Sequence, residues 1–251
     1  MEEVQTENKK LALVTGGNRG LGFAWCRQLG KMGFTILLTS RNLEKAQKSA
    51  EVLQEEGIEV HAYSLDVTNE ESIKETALAV SEKFGKLDLL INNAGINSKS
   101  SNNELTFLKN FRLSHLDSQE ILKMIHINGI APTIVAKHFV GLLEKGENPR
   151  IVNMSSWLGS VSGKNTGGNY SYATSKASLN MMTRALAYDA QPMGITTVAV
   201  NPGWVQTRMG GFSANLSPEE SVQRLIDNVV SKLTIEDAGK FFDWDGTEHN
   251  W

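Results

Sequence analysis

Tyr172 and Lys176 stand four residues apart in the run Tyr-Ala-Thr-Ser-Lys. On a helix that spacing puts both side chains on one face. An ammonium beside a phenol stabilises the phenolate and lowers tyrosine's pKa from about 10. A phenol tuned in this way can hand a proton to an oxygen that is gaining charge. The same pair also reads as a surface tyrosine packed on a lysine stem. Its meaning depends on what the rest of the chain brings beside it.

A second group of residues suits phosphate. Thr15-Gly16-Gly17-Asn18-Arg19-Gly20-Leu21-Gly22 follows a short apolar run and precedes a helical pattern. Glycines let the backbone turn sharply and approach a pyrophosphate, and the helix N-terminus then offers free N–H groups. The spacing is T-G-x-x-x-G-x-G rather than G-x-G-x-x-G. An NAD site usually carries an acid at the end of the next strand, for the ribose 2′-hydroxyl. Here that strand ends at Ser40-Arg41, and no acid follows until Glu44. Arg41 can form a charge-assisted fork with a 2′-phosphate, and Arg19 can supply a second cation. The pattern favours NADP(H) over NAD.

The elements that would position these residues follow from the apolar runs. Leu11–Thr15, Thr35–Thr39, Val60–Leu65, Leu87–Ile91, Arg150–Met154 and Ile195–Val200 read as short buried strands. Between them lie helical patterns. Leu21, Trp25, Leu29 and Met32 recur at helical spacing, and 69–84 and 175–189 behave alike. Strand–helix–strand alternation predicts an α/β fold, a doubly wound, Rossmann-like parallel sheet with helices on both faces. Asn97–Asn110, rich in Ser and Asn, and Ser160–Asn169, rich in Gly and Ser, read as loops. Each either borders the site or is a tolerated surface insertion.

Composition sets the limits. The 251 residues, 40% hydrophobic and 21% charged, suit a globular chain. They are expected to form a single domain over 10–251, after a flexible segment at 1–9. A net charge of −3 and the lack of a basic run speak against nucleic acid. Cys26 has no partner in the chain, and the five histidines form no metal-ligand spacing with it. No stretch approaches the roughly 18 apolar residues of a membrane span, and the first ten residues lack a secretory apolar stretch. The expectation is a cytoplasmic protein without a metal.

Taken in order, the motifs resemble those of the short-chain dehydrogenase/reductase family. They are TGGNRGLG at 15–22, Asp66-Val67, Asn92-Asn93-Ala94-Gly95, Asn128, Ser155-Ser156, YATSK at 172–176 and Asn201-Pro202-Gly203. The resemblance implies a role for each position. Gly16, Asn18, Arg19, Gly20, Leu21 and Gly22 would wrap the pyrophosphate and adenosine ribose. Ser40 and Arg41 would meet the 2′-phosphate, and Asp66 and Val67 would flank the adenine. Asn93, Ala94 and Gly95 would pass beside the cofactor. Pro202, Gly203, Val205 and Thr207 would hold the nicotinamide and its carboxamide. Ser156 would bond the substrate carbonyl, and Tyr172 would donate the proton. Lys176 would hold the nicotinamide ribose and tune Tyr172, and Asn128 would help bind a water linking Lys176 to solvent. Asn92 reads as a sheet residue instead, Asp66 also as a helix cap, and Ser155 as the rival of Ser156.

Ser156 and Tyr172 are sixteen residues apart, more than is usual in the family. The extra residues at 159–171, and the tail from Pro202 to Trp251, resemble a subgroup of C-factor and sniffer-like carbonyl reductases. The implied activity is NADPH-dependent reduction of a ketone or aldehyde, reversible in principle. The alternative is an NAD(P)-binding signalling or redox-sensing protein without turnover. The short segment after Met209 speaks against the dehydratases and epimerases of the extended relatives. Trp157, Trp204, Met209 and Phe212 either line an apolar substrate pocket or simply pack. Related enzymes are often homo-oligomers, dimers or tetramers.

Overall fold

The computed structural model describes residues 9–98 and 104–251. Six strands lie where the apolar runs predict them: β1 (Leu11–Val14), β2 (Thr35–Ser40), β3 (Val60–Ser64), β4 (Leu89–Asn92), β5 (Arg150–Met154) and β6 (Thr196–Asn201). A seventh, β7 (Phe241–Asp243), is too short for an alternating pattern to reveal it. The seven make one sheet in the order β3-β2-β1-β4-β5-β6-β7. Every neighbouring pair is parallel. Eight α-helices are found among the described residues: α1 (Gly20–Lys31), α2 (Leu43–Glu55), α3 (Glu70–Phe84), α4 (Glu104–Phe111), α5 (Ser118–Ile125), α6 (Ala131–Leu143), α7 (Tyr170–Ala190) and α8 (Pro218–Asn228). This is the Rossmann-like architecture the alternation predicts.

Successive strand residues point to opposite faces, so the sheet feeds two cores. Ala12, Val14, Ile36 and Leu38 pack with Trp25, Leu29, Leu53 and Leu225 from α1, α2 and α8. Leu13, Leu37, Leu90 and Ile151 pack with Ile73, Val80, Val135 and Phe139 from α3 and α6. Each such side chain contributes about 1.5–3 kcal/mol by leaving water. Truncating Leu29 to Ala would cost about 2–5 kcal/mol. The sheet order reverses between β1 and β4, and the crevice at the carboxyl ends of those strands is where this architecture binds ligands.

Several boundaries differ from expectation. Met32 is exposed because α1 stops at Lys31 and Gly33 turns the chain with a φ of +89°. β4 begins two residues late, since the buried carboxylate of Asp88 accepts the backbone N–H groups of Leu11 and Glu147. The helix expected over 175–189 starts at Tyr170, after Asn169 takes a left-handed φ of +56°. The loop expected at Asn97–Asn110 is partly helix, because the Ser/Asn richness ends at Asn103 and Glu104–Phe111 holds neither Gly nor Pro. Its residues 99–103 lie outside the described residues, as does the N-terminal arm up to residue 8.

Candidate active site

The glycine turn leaves the carboxyl end of β1 and is stitched to the loop after β4. Thr15 Oγ1 accepts the backbone N–H groups of Asn93 at 2.9 Å and Ala94 at 3.0 Å. Asn93 Nδ2 donates back to the carbonyl oxygens of Thr15 at 2.9 Å and Gly16 at 3.2 Å. Gly16 adopts a φ of +64° and Gly20 one of +53°, the left-handed region that side chains disfavour. A Cβ at Gly22 would fall on the Gly16 carbonyl oxygen. The start of α1 has neither a capping side chain nor an acid in its first turn. By contrast, Asn42, Asn69 and Ser217 cap α2, α3 and α8. An uncapped, acid-free N-terminus behind a close-fitting glycine turn fits a pyrophosphate.

The other residues expected at a dinucleotide lie around this turn. Ser40 ends β2, and Arg41 follows it, exposed; Arg19 is exposed on the glycine turn. Asp66 Oδ1 accepts both the N–H and the hydroxyl of Thr68. That makes a local turn rather than a helix cap, since Asn69 caps α3. Val67 is partly buried against the core. Gly95 approaches Asn128, with a Cβ there meeting Asn128 Oδ1 at 3.2 Å. After β6, Pro202 accepts the Ser221 hydroxyl at 2.7 Å, Gly203 turns with a φ of +78°, and Val205 is buried in a bridge to Leu216. Thr207 returns to the glycine turn, its Cγ2 lying 3.6 Å from where a Gly20 Cβ would sit. An open depression between α2 and β3, lined by Gln47, Gln54, His61 and Lys83, holds none of these residues.

Tyr172 and Lys176 occupy the first two turns of α7, 8% and 6% exposed. The Lys176 ammonium donates to the Met154 carbonyl oxygen at 2.6 Å and lies 5.7 Å from the Tyr172 ring centroid. Burial pushes the Tyr172 phenol up to about 12, opposed by a hydrogen bond with Ser156. Burial pushes Lys176 down to about 8. The direction for Tyr172 reverses the lowering read from the sequence. Loss of water outweighs an ammonium aimed at a backbone oxygen on the neighbouring strand.

The two serines after β5 separate cleanly. Ser155 Oγ donates to Asn180 Oδ1 at 2.6 Å and is buried, which commits its proton to a structural bond. Ser156 Oγ accepts the Leu158 N–H at 3.2 Å, which leaves its proton for another partner. Asn92 bonds within the scaffold, to Asn153 on β5 and to the Pro132 carbonyl.

Asn128 sits in a π-helical turn, His126–Ile130. Its Oδ1 accepts the Ile96 N–H at 2.8 Å, and its Nδ2 donates to the Ile96 carbonyl at 2.8 Å and to Ser175 Oγ at 3.0 Å. Ser175 Oγ in turn donates to the Tyr172 carbonyl. Both amide protons are therefore engaged with protein, and a water expected on Asn128 would have only the second lone pair of Oδ1. Sequence reasoning did not single out Ser175 or Asn180. The signal was their placement on α7 with Lys176, one residue before it and one turn beyond.

The 159–171 segment is tied to the end of the chain. Ser162 donates through its N–H and its hydroxyl to the Trp251 carbonyl, at 3.1 and 2.7 Å. The Trp251 ring stacks on Phe241 at 5.4 Å, with the Arg184 guanidinium 5.5 Å from it. Trp157 and Trp204 are exposed, Trp204 Nε1 donating to the Gly210 carbonyl, and Phe212 is 98% exposed. Met209 is partly buried. Among the described residues no group of His, Cys, Asp and Glu could hold a metal, and no helix is long and apolar enough to cross a membrane.

The chain is similar to known proteins in sequence and in fold. The C-signal protein of Myxococcus xanthus is 35% identical over 175 residues, which is 70% of this chain and 99% of that protein. The carbonyl reductase Sniffer of D. melanogaster superposes with a TM-score of 0.85 at 32% identity, covering 97% of this chain and 99% of the other. An NADPH-bound carbonyl reductase from chicken fatty liver gives a TM-score of 0.85 at 30% identity, with the same coverage of each chain. The sequence model of short chain dehydrogenases matches residues 10–232, a span that holds the glycine turn and the Tyr172–Lys176 pair together, and the chain belongs to that family.

Proposed function

We propose that this protein is an NADPH-dependent carbonyl reductase acting on a ketone or aldehyde. One observation carries the reading. The buried phenol of Tyr172 is hydrogen-bonded to Ser156, the serine not committed to Asn180, at the carboxyl end of β5. Bound NADPH would supply the hydride. The glycine turn and the α1 N-terminus would hold its pyrophosphate, with Arg41 and Arg19 on the 2′-phosphate. As charge grows on the substrate oxygen, the Ser156 hydroxyl donates a hydrogen bond to it and the Tyr172 phenol passes its proton there. A phenol pushed up to about 12 is protonated at neutral pH, which is the state a proton donor needs. Lys176 supplies a positive charge beside the phenolate as that proton leaves. Asn128 holds Ile96 and Ser175 and so fixes the first turn of α7.

The test is loss of NADPH absorbance with a panel of aryl and alkyl aldehydes, ketones and α-diketones. Turnover by the wild type, and its loss in Tyr172→Phe with NADPH affinity kept, is the expected result. A Tyr172→Phe enzyme as fast as wild type sinks the reading. The similarity to C-signal favours a second reading, an NAD(P)-binding signalling protein. Tight NADPH binding with no turnover across the panel would select it.

A further inference from the structure

Asn180 lies one helical turn beyond Lys176 on α7, 4% exposed, and the chemistry above gives it no part. Its amide is bonded at both ends. Oδ1 accepts the Ser155 hydroxyl at 2.6 Å, and Nδ2 donates to the Gly159 carbonyl at 3.2 Å. Those two residues bracket Ser156. Ser155 precedes it, with a backbone N–H that donates to the Val200 carbonyl at 2.7 Å. Gly159 closes the turn that follows, its N–H donating to the Ser156 carbonyl at 2.8 Å. Gly159 also lies flat on α7, where a Cβ would come within 2.9 Å of Lys176 and 3.0 Å of Asn180 Nδ2. The turn bearing Ser156 is therefore pressed and tied to the helix bearing Tyr172 and Lys176.

We propose that Asn180 is a positioning residue, which ties Ser155 and Gly159 to α7 and so fixes the Ser156 hydroxyl against Tyr172. The proposal rests on the carbonyl reductase reading. An amide meets both demands from one planar group. Aspartate lacks the donor for the Gly159 carbonyl, and leucine lacks donor and acceptor. Hydroxyl and phenol must share one substrate oxygen, so a small shift of the Ser156 turn costs rate rather than binding.

A double-mutant cycle separates this from a structural amide. Asn180→Ala should lower kcat about 10- to 100-fold, because misplacement by about an ångström has that effect. Its KM for NADPH should stay within about twofold, since the glycine turn is untouched. Ser155→Ala removes one tie of two and should lower kcat less. Added to Ser156→Ala, the Asn180→Ala change should have no further effect, as two changes acting through one group are not additive. Wild-type kcat in Asn180→Ala overturns the proposal, and so do single losses that multiply in the double variant. Hydrogen exchange supplies an arm that needs no turnover. The amides of Leu158, Gly159 and Ser160 should exchange faster in Asn180→Ala while those of the glycine turn do not change. Unchanged exchange at 158–160 refutes the tie, whereas a wild type inactive on every carbonyl refutes only the function. If Asn180→Ala fails to fold, Ser155→Ala replaces it in both arms.

Discussion

Replacing Lys176 with Met keeps most of the length of the side chain and removes its buried ammonium. Burial lowers that group's pKa from 10.5 to about 8. This disfavours the charged form by roughly 3 kcal/mol relative to an unfolded chain. Below pH 8 the native and unfolded chains both hold the proton, and the native state bears the whole penalty. Between about 8 and 10.5 the unfolded chain holds a proton the native chain lacks, so rising pH favours the fold. The methionine variant lacks this dependence. It loses the 2.6 Å bond to the Met154 carbonyl, at about 1–3 kcal/mol. Near neutrality the variant should therefore be anywhere from as stable as the wild type to about 2 kcal/mol more stable. From about pH 7 to about pH 10 that difference should shift by roughly 2–3 kcal/mol in favour of the wild type. Urea unfolding of both proteins across this range measures it, and contributions from other groups cancel in the comparison. Reduction by the variant should fall at least about 100-fold, since the phenolate loses its cation. A difference that does not move with pH would refute the reasoning, as would a variant more than about 3 kcal/mol less stable near neutrality.

Three further outcomes follow from the geometry. Gly22→Ala drives a Cβ onto the Gly16 carbonyl oxygen and into Asn93 Nδ2; urea melts should show a loss of about 1–3 kcal/mol or more, and NADPH titration a weakened complex. Arg41→Glu places an anion where the 2′-phosphate is proposed to lie; the ratio of kcat/KM for NADPH over NADH should fall at least about tenfold, a cost of about 1.4 kcal/mol. Trp251→Ala removes the ring held between Phe241 and Arg184; the midpoint in urea should drop by about 1–3 kcal/mol equivalent, with faster exchange at Ser162, whose N–H donates to the Trp251 carbonyl.

The parts of this fold that read plainly from sequence are those dictated by local chemistry. Five of the six expected strands are buried along most of their length and announce themselves as runs such as Leu11–Val14 and Thr35–Ser40, because a strand covered on both faces needs mostly apolar side chains, whereas β3, at the sheet edge, is buried only at Val60. The glycine turn reads equally well, since its geometry leaves no room for a Cβ at Gly22. β7 escapes because three residues carry no period, and it is held by pairing with β6 across the sheet. The start of α7 escapes because Asn169 in a left-handed conformation, not a capping side chain, sets it. Both are consequences of tertiary context.

The same division runs through the site. Residue types and order bring Tyr172, Lys176, Ser156 and the glycine turn together on paper, but burial decides their electrostatics. The spacing of the two residues puts an ammonium beside a phenol and predicts a lowered phenol. In the fold, the ammonium bonds the Met154 carbonyl and both groups are dry, so the phenol rises and the ammonium falls. The result is a neutral acid beside an ammonium that still holds its proton at neutral pH. In the proposed reduction the raised phenol is protonated but a weaker acid than a lowered one, so its transfer depends on the neighbouring ammonium as charge appears on the substrate oxygen. The stabilising cation matters most at that moment, when a phenolate forms in a site from which water is excluded. What the spacing of Tyr172 and Lys176 specifies is therefore proximity. Their protonation is set by burial, which outweighs the contacts each group makes just after β5 or at its end, the lysine with the Met154 carbonyl and the phenol with Ser156.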